Sequence, residues 1–322
     1  MSPDPNPNPT PYPEPDFELA SAHPEVTWLR QTAAVADWAA IRQYLDSFPP
    51  GSDRAFVVRV LAEVDGVEHA LRQQVDAVPH DVLALTVFGA RLVQIGWGIR
   101  TSARAKDVSR EQFTAFHAHL RDAEQLLIRA TAIDPSYDAA WAERLNTARG
   151  LSLGKNEARR RYDRLARYHP HHFTGQARLL QKLCPKWSGT WEEAHGFARE
   201  CLLAASEGSL SGGLVAEAHM EHWLDLGADD KRAEYLRQPH VHAELVEAAQ
   251  RSVFHPEFRR PYGWVTVQGS FAALFSLIGD TAQAAAHFRA LGNLASEYPW
   301  GYLGDPAEMY VQHRDTALRG RR

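Results

Sequence analysis

Cysteine is scarce in this chain, because Cys184 and Cys201 are the only two among 322 residues and neither belongs to a Cys-x-x-Cys pair. Two thiols are too few for a disulfide-stapled secreted scaffold, so we expect both to be reduced and structural. The sequence also lacks an N-terminal basic region followed by an apolar stretch, and it has no uninterrupted apolar run of about 18 residues. These absences predict a soluble, cytoplasmic protein without a membrane segment.

An excess of positive charge is also missing. The net charge is −5 and the pI is about 6.3, so the chain lacks the broad cationic field that binds phosphate backbones. Nucleic acid is therefore an unlikely partner by composition. The apolar content of 44% and the charged content of 23% are ordinary globular values, and we expect a large buried core.

Proline dominates the start of the chain, where it occupies every odd position from Pro3 to Pro15. Such a segment cannot propagate a helix or donate regularly to a sheet, and it favours an extended, solvated conformation. We therefore predict a disordered Pro-rich tail over residues 1–20.

Strand signals are sparse in the rest of the chain, and apolar residues recur at the spacings of three and four that indicate amphipathic helices. Two start signals fit the capping box, Ser109-Arg110-Glu111-Gln112 and Thr190-Trp191-Glu192-Glu193. The pattern predicts helices separated by short Gly, Pro, Asn or Asp breaks, with clear examples over 111–132, 157–167, 192–205 and 281–296. The fold class predicted from this rhythm is all-α.

A repeated spacing of small and bulky residues connects several of these helices. Ala123, Leu127, Ala130 and Pro135 are followed, one near-period later, by Ala158, Tyr162, Leu165 and Pro170. Small residues allow two helices to approach, and bulky residues fill the space between them. Related first-helix and second-helix spacings occur at Leu85, Phe88, Gly89 and Leu92, at Ala272 and Phe275, and at Ala284, Phe288 and Leu291.

On these residues the chain resembles the tetratricopeptide-repeat superfamily over roughly 25–315. The resemblance implies an α-solenoid of antiparallel helix pairs, and we expect a single repeat domain over 21–322. Its register is weak around 208–261, and an insertion over 98–108 lengthens one connection. The stretch Leu183-Cys184-Pro185-Lys186-Trp187-Ser188-Gly189-Thr190, followed by Phe197-Ala198-Arg199, is similar to uncharacterised bacterial helical-repeat proteins, which implies no known activity.

The candidate catalytic and metal-binding patterns are weak. His219 and His222 are three residues apart, whereas zincin histidines are four apart, and Glu192 with His195 supplies only one of the two Glu-x-x-His steps of a di-iron bundle. The segment 150–156 lacks the spacing and the hydroxyl residue of a phosphate-binding loop, and 208–213 has Leu210 where a nucleophile elbow needs serine. We therefore expect no catalytic residue, no metal site and no cofactor.

The leading hypothesis is a non-enzymatic protein-interaction scaffold that binds a peptide or a partner protein on the concave face of the helical-repeat array. In the matched register, Arg144, Arg178 and Lys182 point away from the second helices, and Trp187 and Trp191 flank a turn, so these five residues are the predicted groove. Arg100, Arg104, Lys106 and Arg110 form a basic stretch next to Trp97, for which a solvated helix face is the commoner explanation; if this stretch binds, we expect an acidic protein segment before RNA. The alternative is an enzyme or metal-binding protein that uses His219, His222 or His240 in a pocket of the 208–261 region.

Overall fold

The computed structural model of the protein describes residues 12–48, 53–101 and 107–319. Within these residues the regular secondary structure is helical, with eighteen α-helices, a short 3-10 helix at Pro185–Trp187 and no β-strand. An isolated bridge joins Asp16 to Leu294. The predicted all-α class is confirmed.

The helices are numbered in chain order. They are α1 Leu19–Ala22, α2 Glu25–Ala34, α3 Trp38–Asp46, α4 Ala55–Ala62, α5 Val67–Ala77, α6 Val82–Arg100, α7 Arg110–Ile133, α8 Asp138–Gly150, α9 Lys155–Ala166, α10 Phe173–Leu183, α11 Trp191–Ala204, α12 Gly212–Asp225, α13 Asp229–Leu236, α14 Pro239–Arg251, α15 Trp264–Ile278, α16 Thr281–Leu291, α17 Glu297–Trp300 and α18 Pro306–Arg319.

The described residues divide into two compact units. The larger unit comprises residues 24–206, and the smaller unit comprises residues 12–23 together with 207–319. That both units belong to one repeat domain over 21–322 stays a prediction.

In the larger unit the even-numbered helices α2, α4, α6, α8 and α10 contact one another in that order. The odd-numbered helices lie beside them, so that α7 packs on α6 and α8, and α9 packs on α8 and α10. Helix α8 is enclosed, since α4, α6, α7, α9 and α10 all contact it and eleven of its residues are buried. The centre of the larger unit is therefore α8.

The small and bulky positions that the sequence singled out lie in the helix contacts. Ala123, Leu127 and Ala130 of α7 are completely buried, and so are Ala158 and Leu165 of α9. In the smaller unit the corresponding positions on α15 and α16 are buried as well, namely Ala272, Phe275, Ala284, Phe288 and Leu291. The packing uses these residues as the sequence predicted, small side chains at close approaches and large ones between the helices.

Helix boundaries agree with the predicted start signals. At Ser109 the capping box is complete, because the Gln112 N–H donates to Ser109 Oγ at 3.2 Å and the Ser109 N–H donates to Gln112 Oε1 at 3.0 Å. At Thr190 the hydroxyl oxygen accepts from the Glu193 N–H at 3.1 Å. The helix predicted over 281–296 is shorter, because Gly292 has φ +67° and ends α16 at Leu291.

The smaller unit contains the region of weak register. Helices α12, α13 and α14 cover most of 208–261, and α12 packs on both α14 and α15. The unit continues through α15 and α16, which pack closely on each other, to α17 and α18. The region is thus helical, although its helices do not follow the simple pairing of the larger unit.

The predicted tail is partly described. Residues 1–11 lie outside the described residues, whereas residues 12–18 make specific contacts with the smaller unit, and α1 begins at Leu19. The Asp16 N–H donates to the Asn293 carbonyl at 2.7 Å, for example. The sequence did not indicate these contacts. Most of the predicted insertion, residues 102–106, also lies outside the described residues.

Helix α6 is, among the described helices, the one with the length and apolarity of a membrane span. Within its most apolar window 61% of the residues are buried, and α4, α5, α7 and α8 pack around it. Length and apolar composition are also properties of a core helix, and the packing gives α6 that role in the larger unit.

Candidate functional site

Arg144 is buried, contrary to its predicted place in an open groove. Its Nη2 lies 3.0 Å from Glu124 Oε1, and its Nη1 donates to Thr131 Oγ1 at 2.9 Å. Both partners belong to α7, which draws the guanidinium into the contact between α7 and α8. The prediction was wrong for this residue. The repeat pattern of small and bulky residues does not show that the neighbouring helix carries a buried acid opposite Arg144.

The same carboxylate organises a larger buried network. Glu124 Oε2 accepts from Arg161 Nη1 at 3.0 Å and from Thr147 Oγ1 at 2.5 Å, and Arg161 Nε donates to Glu157 at 2.8 Å. Hydrogen bonds from Arg160 and Arg161 lower the pKa of Glu157 to about 2. These charges pair with one another inside the contacts of α7, α8 and α9. The network therefore joins the three helices and does not present its charges to a ligand.

The other predicted cations lie on α10. Arg178 Nη2 lies 2.6 Å from Glu143 Oε1 of α8, which ties the two helices together. Lys182 is only 3% exposed, whereas the groove prediction required an accessible side chain. It makes no hydrogen bond or ion pair with any residue that the structure describes. Burial, together with the nearby charge of Arg149, lowers the pKa of Lys182.

Arg149 connects Lys182 to two tryptophans. Its guanidinium carbon lies 5.0 Å from the ring centroid of Trp97 and 5.6 Å from that of Trp187, and the two rings meet edge to face at 6.2 Å. Arg100 also lies over Trp97, at 5.6 Å. We call Trp97, Arg100, Arg149, Lys182 and Trp187 the cation–aromatic cluster.

The cluster contains a second donor that the described residues leave unused. Trp97 Nε1 is buried and has no hydrogen-bond acceptor among them. A buried N–H without an acceptor costs free energy, and so does a buried ammonium without a counter-charge. An anion would supply the missing partner of either group.

The fold explains why cations gather here. Arg59, Arg100, Arg149 and Lys182 each occupy the last turn of an even-numbered helix, α4, α6, α8 and α10 in order. Cations are favoured at that end of a helix because the terminal carbonyls carry partial negative charge. Arg149 lies against Trp97 near the end of α6 and against Trp187 just after α10, so the ends of α6, α8 and α10 form one cationic edge of the larger unit.

The sequence found only part of this cluster. It predicted Lys182 and Trp187, but it assigned Arg149 no role and treated Trp97 only as a neighbour of the basic stretch. The signal that could have revealed the cluster is a cation at the end of successive repeat helices, a position that the register of small and bulky residues does not include. Trp191 is half-buried at the start of α11, where its ring centroid lies 6.2 Å from that of His195.

A second group of titratable residues joins Asp53, Asp138 and His172 in the larger unit, and its ligand atoms are close enough to hold a metal ion. His172 Nε2 lies 3.0 Å from Asp138 Oδ2 and 3.2 Å from Asp53 Oδ1. His172 Nδ1 accepts the Gly175 N–H at 3.0 Å and so caps α10. Asp53 accepts from the amide and the hydroxyl of Thr174 at 3.1 and 2.6 Å.

These hydrogen bonds oppose metal binding at this group. A histidine that binds a metal through Nε2 carries its proton on Nδ1, where it would meet the Gly175 N–H. Burial alone would lower the pKa of His172, but the charges and hydrogen bonds of Asp53 and Asp138 outweigh it and raise the pKa to about 10. The hydrogen bond from the Gly175 N–H opposes this protonation, because Nδ1 accepts only in the neutral ring. The pKa of Asp53 is held well below its usual value by His172, against the effect of its burial. The group is best described as a helix N-cap that joins α10 to the start of α8.

The three histidines of the alternative hypothesis differ in exposure. His219 is buried, with Nδ1 2.6 Å from the Tyr235 hydroxyl and Nε2 3.0 Å from Glu244 Oε2. Burial, and secondarily the charge of His219, lowers the pKa of His222 to about 4. His240 is exposed at the start of α14. Of the three histidines, His219 is thus buried, His222 half-buried and His240 exposed.

A pocket of about 630 Å³ opens elsewhere in the larger unit, outside 208–261. Its polar wall is largely paired, because Asp81 accepts from Arg42 and, at 2.8 Å, from Gln74 Nε2. Asp81 also caps α6 through the Ala84 N–H. The rest of the lining mixes both charges with apolar side chains, namely Leu45, Asp46, Arg54, Val78, His80, Val82, Leu83, Asp134 and Tyr137.

Comparisons with protein-family models, with curated proteins and with solved structures find no match to this chain.

Proposed function

We propose that this protein is a non-enzymatic interaction scaffold with a tetratricopeptide-like α-solenoid architecture, and that it binds an acidic segment of a partner protein. The ordered contacts of the even-numbered helices support the solenoid, and so does the burial of the small and bulky register positions. The net charge of −5 and the scarcity of cysteine support a protein partner and a cytoplasmic location.

The observation that carries this proposal is Lys182, a largely buried residue whose ammonium makes no hydrogen bond or ion pair with the described residues. Burial of the side chain removes part of the hydration of its charge, and an anion offsets that loss. Arg149 and Arg100 add positive charge beside it, and Trp97 and Trp187 offer flat apolar surfaces on which a peptide can lie. An acidic side chain of the partner supplies the missing charge.

The proposed binding surface is the cationic edge and not the middle of the concave face. Helix α8 is enclosed by its neighbours, and the central cation Arg144 is already neutralised by Glu124. The last turns of α6, α8 and α10 carry Arg100, Arg149 and Lys182.

The experiment compares a short labelled Glu-rich peptide with its Gln-substituted copy by fluorescence anisotropy. We expect the acidic peptide to bind more tightly, with an affinity that falls as salt is added. Lys182→Met should weaken binding about tenfold or more, because it removes the buried charge. The exposed Lys231 of α13 provides the control Lys231→Met, which should leave binding unchanged.

Equal affinity for the two peptides would reject an acidic partner. Equal loss in both lysine variants would show that the peptide responds to overall charge and not to the cation–aromatic cluster. The alternative of a metal site in 208–261 stays a prediction, and elemental analysis of the purified protein tests it.

A further inference from the structure

The smaller unit holds residues 12–18 as an extended ligand-like segment. The Asp16 N–H donates to the Asn293 carbonyl at 2.7 Å, and the Ala295 N–H donates to the Asp16 carbonyl at 2.8 Å. These two hydrogen bonds form a parallel bridge between Asp16 and Leu294 in the connection between α16 and α17. Main-chain pairing of this type is how an exposed backbone edge binds a separate peptide.

Arg314 of α18 provides the second anchor. Its Nη1 donates to the Pro13 carbonyl at 2.6 Å, and its guanidinium carbon lies 5.4 Å from the centroid of the Tyr12 ring. Arg314 is 1% exposed, and its Nε donates to Asp315 Oδ1 at 3.0 Å. The guanidinium is thus fixed by α18 before it contacts the segment.

The receiving surface is held by contacts that do not involve the segment. The Tyr310 hydroxyl of α18 donates to the Leu294 carbonyl at 3.2 Å and so positions the connection that pairs with Asp16. The Tyr310 ring packs edge to face on Phe288 of α16 and Trp300 of α17, at 5.4 and 5.5 Å. Three helices therefore support the groove, which we define as Asn293–Ala295 and Arg314.

The sequence of the segment suits such a groove. Pro13 and Pro15 have no N–H and restrict the backbone, so an extended strand loses little conformational entropy when it binds. Pro13 contributes a carbonyl, and Asp16 contributes both an N–H and a carbonyl. The groove therefore accepts an N–H only from Asp16, and it needs no N–H from Pro13 or Pro15.

We propose that the groove is a peptide-binding site for an extended Tyr-Pro-x-Pro-Asp sequence, which residues 12–16 fill within the chain and which the same segment of a second copy can fill in exchange. The site lies in the smaller unit and is independent of the cation–aromatic cluster. Its ligand is proline-rich and is recognised mainly through the backbone, whereas the cluster takes an acidic side chain.

The test uses a chain that lacks residues 1–17 and a labelled peptide with the sequence of residues 9–18. The shortened chain should bind the peptide saturably, whereas the full chain should bind it only when the peptide approaches the millimolar effective concentration of a tethered segment. Arg314→Met in the shortened chain should weaken binding at least tenfold. Arg319→Met is the matched control on α18, since Arg319 contacts Asp315 and is half-exposed, and it should have no effect.

A folded shortened chain that does not bind the peptide would overturn the proposal, and so would equal binding by the Arg314→Met and Arg319→Met variants. If the shortened chain does not fold, a protease site is inserted between Glu18 and Leu19 of the full chain, which is cleaved after folding. The fragment should then co-elute with the protein and be displaced by excess peptide. Immediate release of the fragment, or its retention against excess peptide, would reject an exchangeable site.

Discussion

Gly89 of α6 and Leu127 of α7 meet at a point where the two helices leave no room for a side chain. A Cβ atom added to Gly89 would lie 2.7 Å from Leu127 Cγ and 2.8 Å from Leu127 Cδ2. Leu127 is completely buried. The contact joins the small position of one predicted first helix to the bulky position of the following second helix, as a paired-helix repeat requires.

Gly89→Ala should therefore destabilise the protein, although alanine favours a helix more than glycine does. We expect a loss of about 1–3 kcal/mol, because the new methyl group forces Leu127 or the whole helix to shift. Gly98 lies on the same helix, and a Cβ atom added there would meet nothing within 4 Å, so Gly98→Ala should stabilise by about 0.5–1 kcal/mol. Urea denaturation of the two variants measures both changes in the free energy of unfolding, which should have opposite signs. A stabilised Gly89→Ala variant would contradict this packing of α6 on α7.

Removal of Glu124 should be among the most damaging substitutions in the larger unit. Glu124→Ala leaves Arg144 and Arg161 buried without their shared carboxylate, and the expected cost is about 3–5 kcal/mol. The half-exposed pair of Arg59 and Glu63 is the matched control, since Glu63→Ala should cost at most about 1 kcal/mol. Thermal and denaturant unfolding give the comparison. Similar losses in the two variants would mean that the Glu124 network is not buried in solution.

The sequence allowed the all-α class to be predicted from the helical spacing of apolar residues, and the small and bulky residues that it singled out on α7, α9, α15 and α16 are buried. The sequence placed Arg144 wrongly, because the repeat pattern gives the direction of a side chain but not the residues of the neighbouring helix that this side chain contacts. Glu124 and Arg144 are 20 residues apart, and their pairing depends on how α7 and α8 cross. Lys182 stays a binding candidate on α10, but its burial beside Arg149 depends on the same tertiary contacts.

The site beside His172 shows the same limit. Asp53 lies 119 positions from His172 in the sequence, and its proximity to His172 follows only from the folded chain. The contacts of residues 12–18 were missed for a different reason. Alternating proline indicates an extended backbone, and an extended backbone is compatible with both a free tail and a bound strand.

His172 should make stability depend on pH in the alkaline range. Its pKa is about 10 in the folded chain, against an ordinary value of 6.5 for an unfolded one, so the folded state holds the proton more tightly. The stabilisation is fully present below pH 6.5 and is lost as pH rises toward 10, with a slope of roughly 1.4 kcal/mol per pH unit. The difference in unfolding free energy between the parent and His172→Asn should narrow over that range. A difference that stays constant with pH would show that His172 is neutral throughout.

His287 should have the opposite effect in acid. Its completely buried ring lies 4.3 Å from that of Phe254 and 5.3 Å from that of Phe271, and burial lowers its pKa from 6.5 to about 3. The unfolded chain therefore binds a proton that the folded chain excludes, and stability is present above pH 6.5 and falls as pH drops below it. His287→Phe should flatten this acid dependence by up to roughly 1.4 kcal/mol per pH unit. Unchanged acid sensitivity in that variant would contradict the burial of His287.

The proposed binding of an acidic segment is tested most directly by zero-length carbodiimide crosslinking, which joins a carboxylate to a lysine amine in contact with it. The chain has few lysines, and Lys155, Lys182, Lys186 and Lys231 are the described ones. With the Glu-rich peptide at low salt, the account predicts that peptide mapping finds the crosslink on Lys182, and that added salt removes it. Crosslinks confined to the exposed Lys186 and Lys231, with none on Lys182, would contradict the account.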